Sequence, residues 1–123
     1  MMENKEQEIR RIRFEDLISI LFIVTSLLNI YADNLYINYL NTNDQDKEKL
    51  ARDIYLIVII ITIAVYYYFI NRNYKFLKFA KENNQDQILP FIRLLGSIFF
   101  MVGILLLLYV LVESNNIQGE IEV

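Results

Sequence analysis

Charged, polar stretches alternate along this chain with three uncharged apolar runs, residues 17–32, 54–71 and 94–112. The runs are 16, 18 and 19 residues long, and a helix needs about 20 predominantly apolar residues to cross a hydrocarbon layer of about 30 Å. The third run reaches that length alone and the second reaches it with its flanks. The first is broken by Asp33 and resumes as Asn34-Leu35-Tyr36-Ile37-Asn38-Tyr39-Leu40. Stretch 57–61 has strand propensity, but an open strand leaves its backbone unsatisfied in lipid and three strands cannot close a barrel.

The pattern therefore predicts an all-α integral membrane protein with three transmembrane helices and short polar loops. As a single helical membrane domain over 1–123 it divides into a juxtamembrane segment 1–16, a first span 17–40 and an outer loop 41–52. A second span 53–71, a cytoplasmic loop 72–88, a third span 89–112 and an acidic tail 113–123 follow. Pro90 stands where a missing backbone N–H costs a helix little, so the third helix is expected to open near Leu89 or Pro90. The first run is too long, and its Glu-rich leader too mixed in charge, for a cleaved signal peptide; an uncleaved signal anchor is expected.

Composition sharpens this picture. Hydrophobic residues make up 55% of the 123 residues, more than the roughly 45 to 50% of a soluble domain, and the excess sits in the three runs. There is no Cys and no His, which removes thiolate chemistry, disulfides, the commonest general base and the commonest metal ligand. With three glycines, Gly96, Gly103 and Gly119, neither a phosphate-binding loop nor a dinucleotide fingerprint can form. No catalytic, cofactor-binding or metal site is expected, and neither a small-molecule substrate nor a nucleic acid as partner.

Orientation follows from Lys and Arg. Lys5, Arg10, Arg11 and Arg13 precede the first span, and Arg72, Lys75, Lys78, Lys81 and Arg93 lie between the second and third, nine in all. The segment between the first two spans holds three, Lys47, Lys49 and Arg52, and the tail none. Positive residues are retained in the cytoplasm, so a multi-pass cell-membrane protein with a cytoplasmic N-terminus and an external C-terminus is expected. Richness in Ile, Asn, Lys, Tyr and Phe points to an AT-rich, bacterial coding genome. Tyr31, Tyr36, Tyr39, Tyr55 and Tyr109 fall near outer span ends and Tyr66, Tyr67, Tyr68 and Phe69 near an inner one, as interfacial aromatic belts do. In 74–81 basic and apolar residues interleave, so the second helix is expected to continue inward and to brush the anionic leaflet.

Two constellations remain. Ser19, Ser26, Asn29, Asp33 and Tyr36 fall within a stripe about 100° wide on one face of the first helix, a polar face that should look at protein or water. An acidic group within a span is a functional candidate; its structural reading is an ion pair between Asp33 and Arg52. Gly96 and Gly103, seven apart on the third helix, mark a helix-packing face, within the chain or between chains. The expected function is that of a non-enzymatic accessory, regulatory or self-protection subunit acting through helix–helix contacts with a membrane-protein partner or in a homo-oligomer. The alternative is a homo-oligomeric pore or small ion or proton conductor lined by the polar face of the first span.

Overall fold

The computed structural model describes residues 5–113, so the acidic tail beyond Glu113 lies outside the described residues. The described chain is all-helical: α1 is Lys5–Thr42, α2 Gln45–Glu82 and α3 Ile88–Glu113. All three are long and apolar enough to cross a membrane. Contacts divide the chain into two units, Met1–Tyr55 and Leu56–Val123, so that α2 contributes to both.

The helices run further than their apolar middles. At about 1.5 Å per residue, the 38 residues of α1 and of α2 rise about 57 Å each, nearly twice a hydrocarbon layer of about 30 Å. The charged segment before the first apolar run is helical from Lys5, the segment 41–52 is helical except at Asn43 and Asp44, and the segment 72–88 is helical to Glu82. Overhangs of this kind need local stops, and the chain supplies them.

Asn43 (φ 60°) and Asn84 (φ 54°) both take the left-handed conformation, which Asn tolerates better than other residues with a Cβ. After Asn84 the Gln85 N–H reaches the Ala80 carbonyl at 2.9 Å, the six-to-one bond of a Schellman stop. After Asn43, Asp44 caps α2: its carbonyl accepts from Lys47 N–H at 3.1 Å and its carboxylate from Asp46 N–H at 3.1 Å, satisfying donors that a helix start leaves orphaned. Asp86 does the same for α3 through Ile88 N–H at 3.1 Å, with Pro90 in the first turn.

The most covered positions of α1 and of α3 each line up along one side of the helix. On α1 the buried residues are Ile18, Thr25, Ala32 and Tyr36, and half-buried Phe22 and Asn29 fill the steps of three and four between them. On α3 the covered positions are Pro90, Leu94, Ser97, Met101, Ile104, Leu108 and Leu111, again in alternating steps of four and three, with Gly96 half-buried beside them. A period of 3.5 keeps a seam on one side of a helix and is the spacing used in left-handed helix pairing. Little of the apolar surface is buried: of the most apolar 18-residue window of each helix, only 11%, 11% and 6% is buried. Leu17, Leu27, Phe99, Phe100 and Leu106 are each more than 60% exposed, which water does not favour and lipid does.

Candidate functional site

Unit 1 holds the acidic residue of the first apolar stretch. Asp33 accepts a hydrogen bond from the Tyr55 hydroxyl, so α1 and the beginning of α2 are tied by a carboxylate and a phenol. Around this bond Ala32 and Ala51 are fully covered, and side chains that small let helix backbones approach closely. Arg52 lies three residues before Tyr55 on α2 and is half-buried. The partner that the structure places on Asp33 is thus Tyr55, one turn beyond the arginine that charge pairing suggested.

The polar stripe of α1 divides in two. Tyr36 is buried and Asn29 half-buried, both on the seam; Ser19, Ser26 and Asp33 stand one position to its side, seven apart, and are exposed. The serines hydrogen-bond to their own helix, Ser19 Oγ to the Glu15 carbonyl at 3.2 Å and Ser26 Oγ to the Phe22 carbonyl at 2.9 Å. The seam residue Thr25 does likewise, at 2.9 Å to the Phe22 carbonyl. Hydroxyls spent in this way can face an apolar environment without an unpaired donor.

Sequence reasoning missed the polar centre of unit 2. Asn73, 3% exposed, donates to Ser97 Oγ and, at 3.5 Å, to the Arg93 carbonyl on α3. Its side-chain oxygen Oδ1 accepts from Arg72 Nε at 3.2 Å and Nη2 at 2.9 Å. The Arg72 guanidinium lies over the rings of Phe69, at 4.8 Å, and Phe76, at 5.5 Å, geometry in which a ring's negative face attracts a cation. Further along the pair, Tyr66 and Phe100 meet with ring centroids 5.7 Å apart. The signal available in the sequence was Ser97, the only serine in 94–112, opposite an Asn two residues past the end of the preceding run.

Within unit 2 the covered line of α3 does not run through Gly103. Among the described residues, a Cβ built on Gly96 or Gly103 meets nothing within 4 Å. The physical reason is register: seven-residue spacing puts both glycines on one line, but the covered line passes through Ser97, Met101 and Ile104, and Gly103 is exposed.

Among the described residues no group of three His, Cys, Asp or Glu side chains is placed to hold a metal ion. A shallow groove on α1 is lined by Arg10, Arg13, Phe14, Asp16 and Leu17 and is open along the helix surface. Among the described residues, polar side chains tie helix to helix at Asp33 with Tyr55 and at Asn73 with Ser97. No family model, curated protein or solved structure matches the chain.

Proposed function

We propose that this is a non-enzymatic multi-pass membrane protein that acts by contact, as an accessory, regulatory or self-protection subunit of a membrane assembly. The three long apolar helices support the membrane reading, and the distribution of Lys and Arg supports a cytoplasmic N-terminus and a cytoplasmic segment 72–88. The observation that carries the contact reading is the state of α3. Leu111 is its one buried residue among those described, and a line bearing Gly96 and Gly103 stands open. Glycine costs an exposed helix about 1 kcal/mol relative to alanine, and in lipid it is useful where another backbone comes close.

The test separates fold from contact at one position. Because nothing meets a Cβ at Gly103, Gly103→Ala and Gly103→Leu are both expected to leave the melting midpoint in detergent unchanged or raised. Gly103→Leu should nevertheless abolish the cross-linked adduct that the wild-type chain forms in native membranes. A wild-type chain that yields no adduct, or an adduct that survives Gly103→Leu, would remove α3 as the contact surface.

One observation favours the pore as the second reading. Ser19, Ser26 and Asp33 form an exposed row that several copies could turn toward a common axis. The internal bonds of those hydroxyls and of Asp33 weigh against it, since a row already satisfied has little demand for water.

A further inference from the structure

The exposed side of α2 within unit 2 changes chemistry in steps along its length. Ile57, Ile60 and Ala64 come first, Tyr67, Asn71 and Tyr74 next, and Lys75, Lys78 and Lys81 last, every one of them exposed. At about 100° per residue these positions lie within a strip about 120° wide, so they share one face. From Ile57 to Tyr74 the helix rises about 26 Å, and from Lys75 to Lys81 about 9 Å more. Apolar core, aromatic belt and cationic end thus follow one another at the spacing of a leaflet's hydrocarbon, interface and headgroup layers.

The lysines are also available. Among the described residues none of the three makes an ion pair, whereas Arg11 is held by Glu8 at 3.8 Å and Glu15 at 3.4 Å. Arg93 of α3, whose backbone carbonyl accepts from Asn73, is a further cation of unit 2, and Glu82 and Asp86, the latter engaged in capping α3, are the acidic residues next to the strip in sequence. We propose that Lys75, Lys78 and Lys81 form a binding strip for the phosphate headgroups of anionic phospholipids, with Tyr67 and Tyr74 seated beneath them in the interface. The α2 helix enters the headgroup layer as an unbroken rod through Glu82, so the lysines reach the phosphates from its side and not by the helix lying flat on the leaflet. The charge complementarity and the ordered change along one face single out a lipid surface over an acidic protein, which would not call for the tyrosines and isoleucines below.

The experiment uses the full chain in mixed micelles with equal phosphatidylglycerol and phosphatidylcholine, and native mass spectrometry of the lipids retained. The wild type should keep phosphatidylglycerol in preference. A basic residue near an anionic surface is worth about five-fold in binding, so Lys75→Gln/Lys78→Gln/Lys81→Gln should lower the preference by about ten-fold or more. The matching arginine triple should preserve it, and Lys47→Gln/Lys49→Gln, which removes charge from the other end of α2, should leave it unchanged. Equal retention of both lipids by the wild type would overturn the proposal, as would an equal loss in the Lys47/Lys49 variant. Lysine-dependent binding of polyglutamate without any lipid preference would overturn it in favour of an acidic protein partner. Gly103→Leu should not alter lipid retention, which keeps failure of this strip distinct from failure of the α3 contact.

Discussion

Replacing Asn73 with leucine is expected to lower the stability of the detergent-solubilised protein by about 1 to 3 kcal/mol, the range for stranding a buried hydrogen-bonding group. Leucine fills nearly the same volume, so little of the loss comes from packing. It comes from polar accounts on both sides: the Arg72 guanidinium loses an acceptor at 2.9 and 3.2 Å, and α3 loses the donor that reaches Ser97 and the Arg93 carbonyl. Ser97→Ala should cost less, about 0.6 kcal/mol, because Asn73 keeps the Arg93 carbonyl and no donor is orphaned: the serine hydroxyl, which also bonds that carbonyl at 2.9 Å, leaves with the side chain. Reversible unfolding in mixed micelles, run as a double-mutant cycle, should return a coupling between Asn73 and Ser97 of about 0.6 kcal/mol, with about 1.7 kcal/mol as the ceiling seen for such bonds. Additive single effects would show that the two side chains do not act together.

The second large effect is expected at the link between α1 and α2. A hydrogen bond to an ionised acceptor is worth about 1.5 to 3 kcal/mol when shielded. Asp33 is exposed at the side of the helix, so Tyr55→Phe should cost less, about 1 kcal/mol after screening. Asp33→Asn retains an acceptor for the Tyr55 hydroxyl and should cost less again, while Asp33→Leu should cost as much as Tyr55→Phe. The Asp33→Leu/Tyr55→Phe pair should recover part of the sum. Coupling of Asp33 to Arg52, measured with Arg52→Gln in the same way, should be the smaller of the two. The same purified protein decides the pore reading: liposomes carrying the wild type should hold a proton gradient as well as those carrying Asp33→Asn. A leak that Asp33→Asn abolishes would replace the contact reading with conduction.

How much was legible in the sequence depended on whether a residue's type distinguished its surroundings. The three helices were legible because uncharged runs of 16 to 19 residues have few other uses. Their stops were legible in principle, since Asn43 and Asn84 stand where a left-handed residue ends a helix. The full lengths of α1 and α2 were not, because helix continues through charged overhangs that carry no membrane signal. The seams were hidden for a related reason. In α3 the covered Leu108 and Leu111 are chemically the same as the uncovered Leu105 to Leu107, so hydropathy does not mark which side another helix takes. Small size points instead to Gly96 and Gly103, where a Cβ meets nothing within 4 Å among the described residues. On α1 the polar stripe was real as a pattern but straddled the edge of the seam, with Tyr36 inside and Ser19, Ser26 and Asp33 outside. Asp33 stands out by its charge and Tyr55 by its place at an outer span end, but charge pairing favours Arg52 over the phenol that bonds the carboxylate.

The central claim is that α2 carries the chain from one side of a membrane to the other, and a protein without cysteine is suited to a direct check. Asn43 and Asn84 are poor sites for a reporter, because a cysteine there would strain the left-handed backbone that each holds. Gln45 opens α2, Gln85 follows it and both are exposed, so Gln45→Cys and Gln85→Cys should fold normally. With a membrane-impermeant maleimide on intact cells, Gln45→Cys should label at once and Gln85→Cys only after the membrane is opened. Immediate labelling of both from outside would contradict the account, because α2 would then begin and end on the same side.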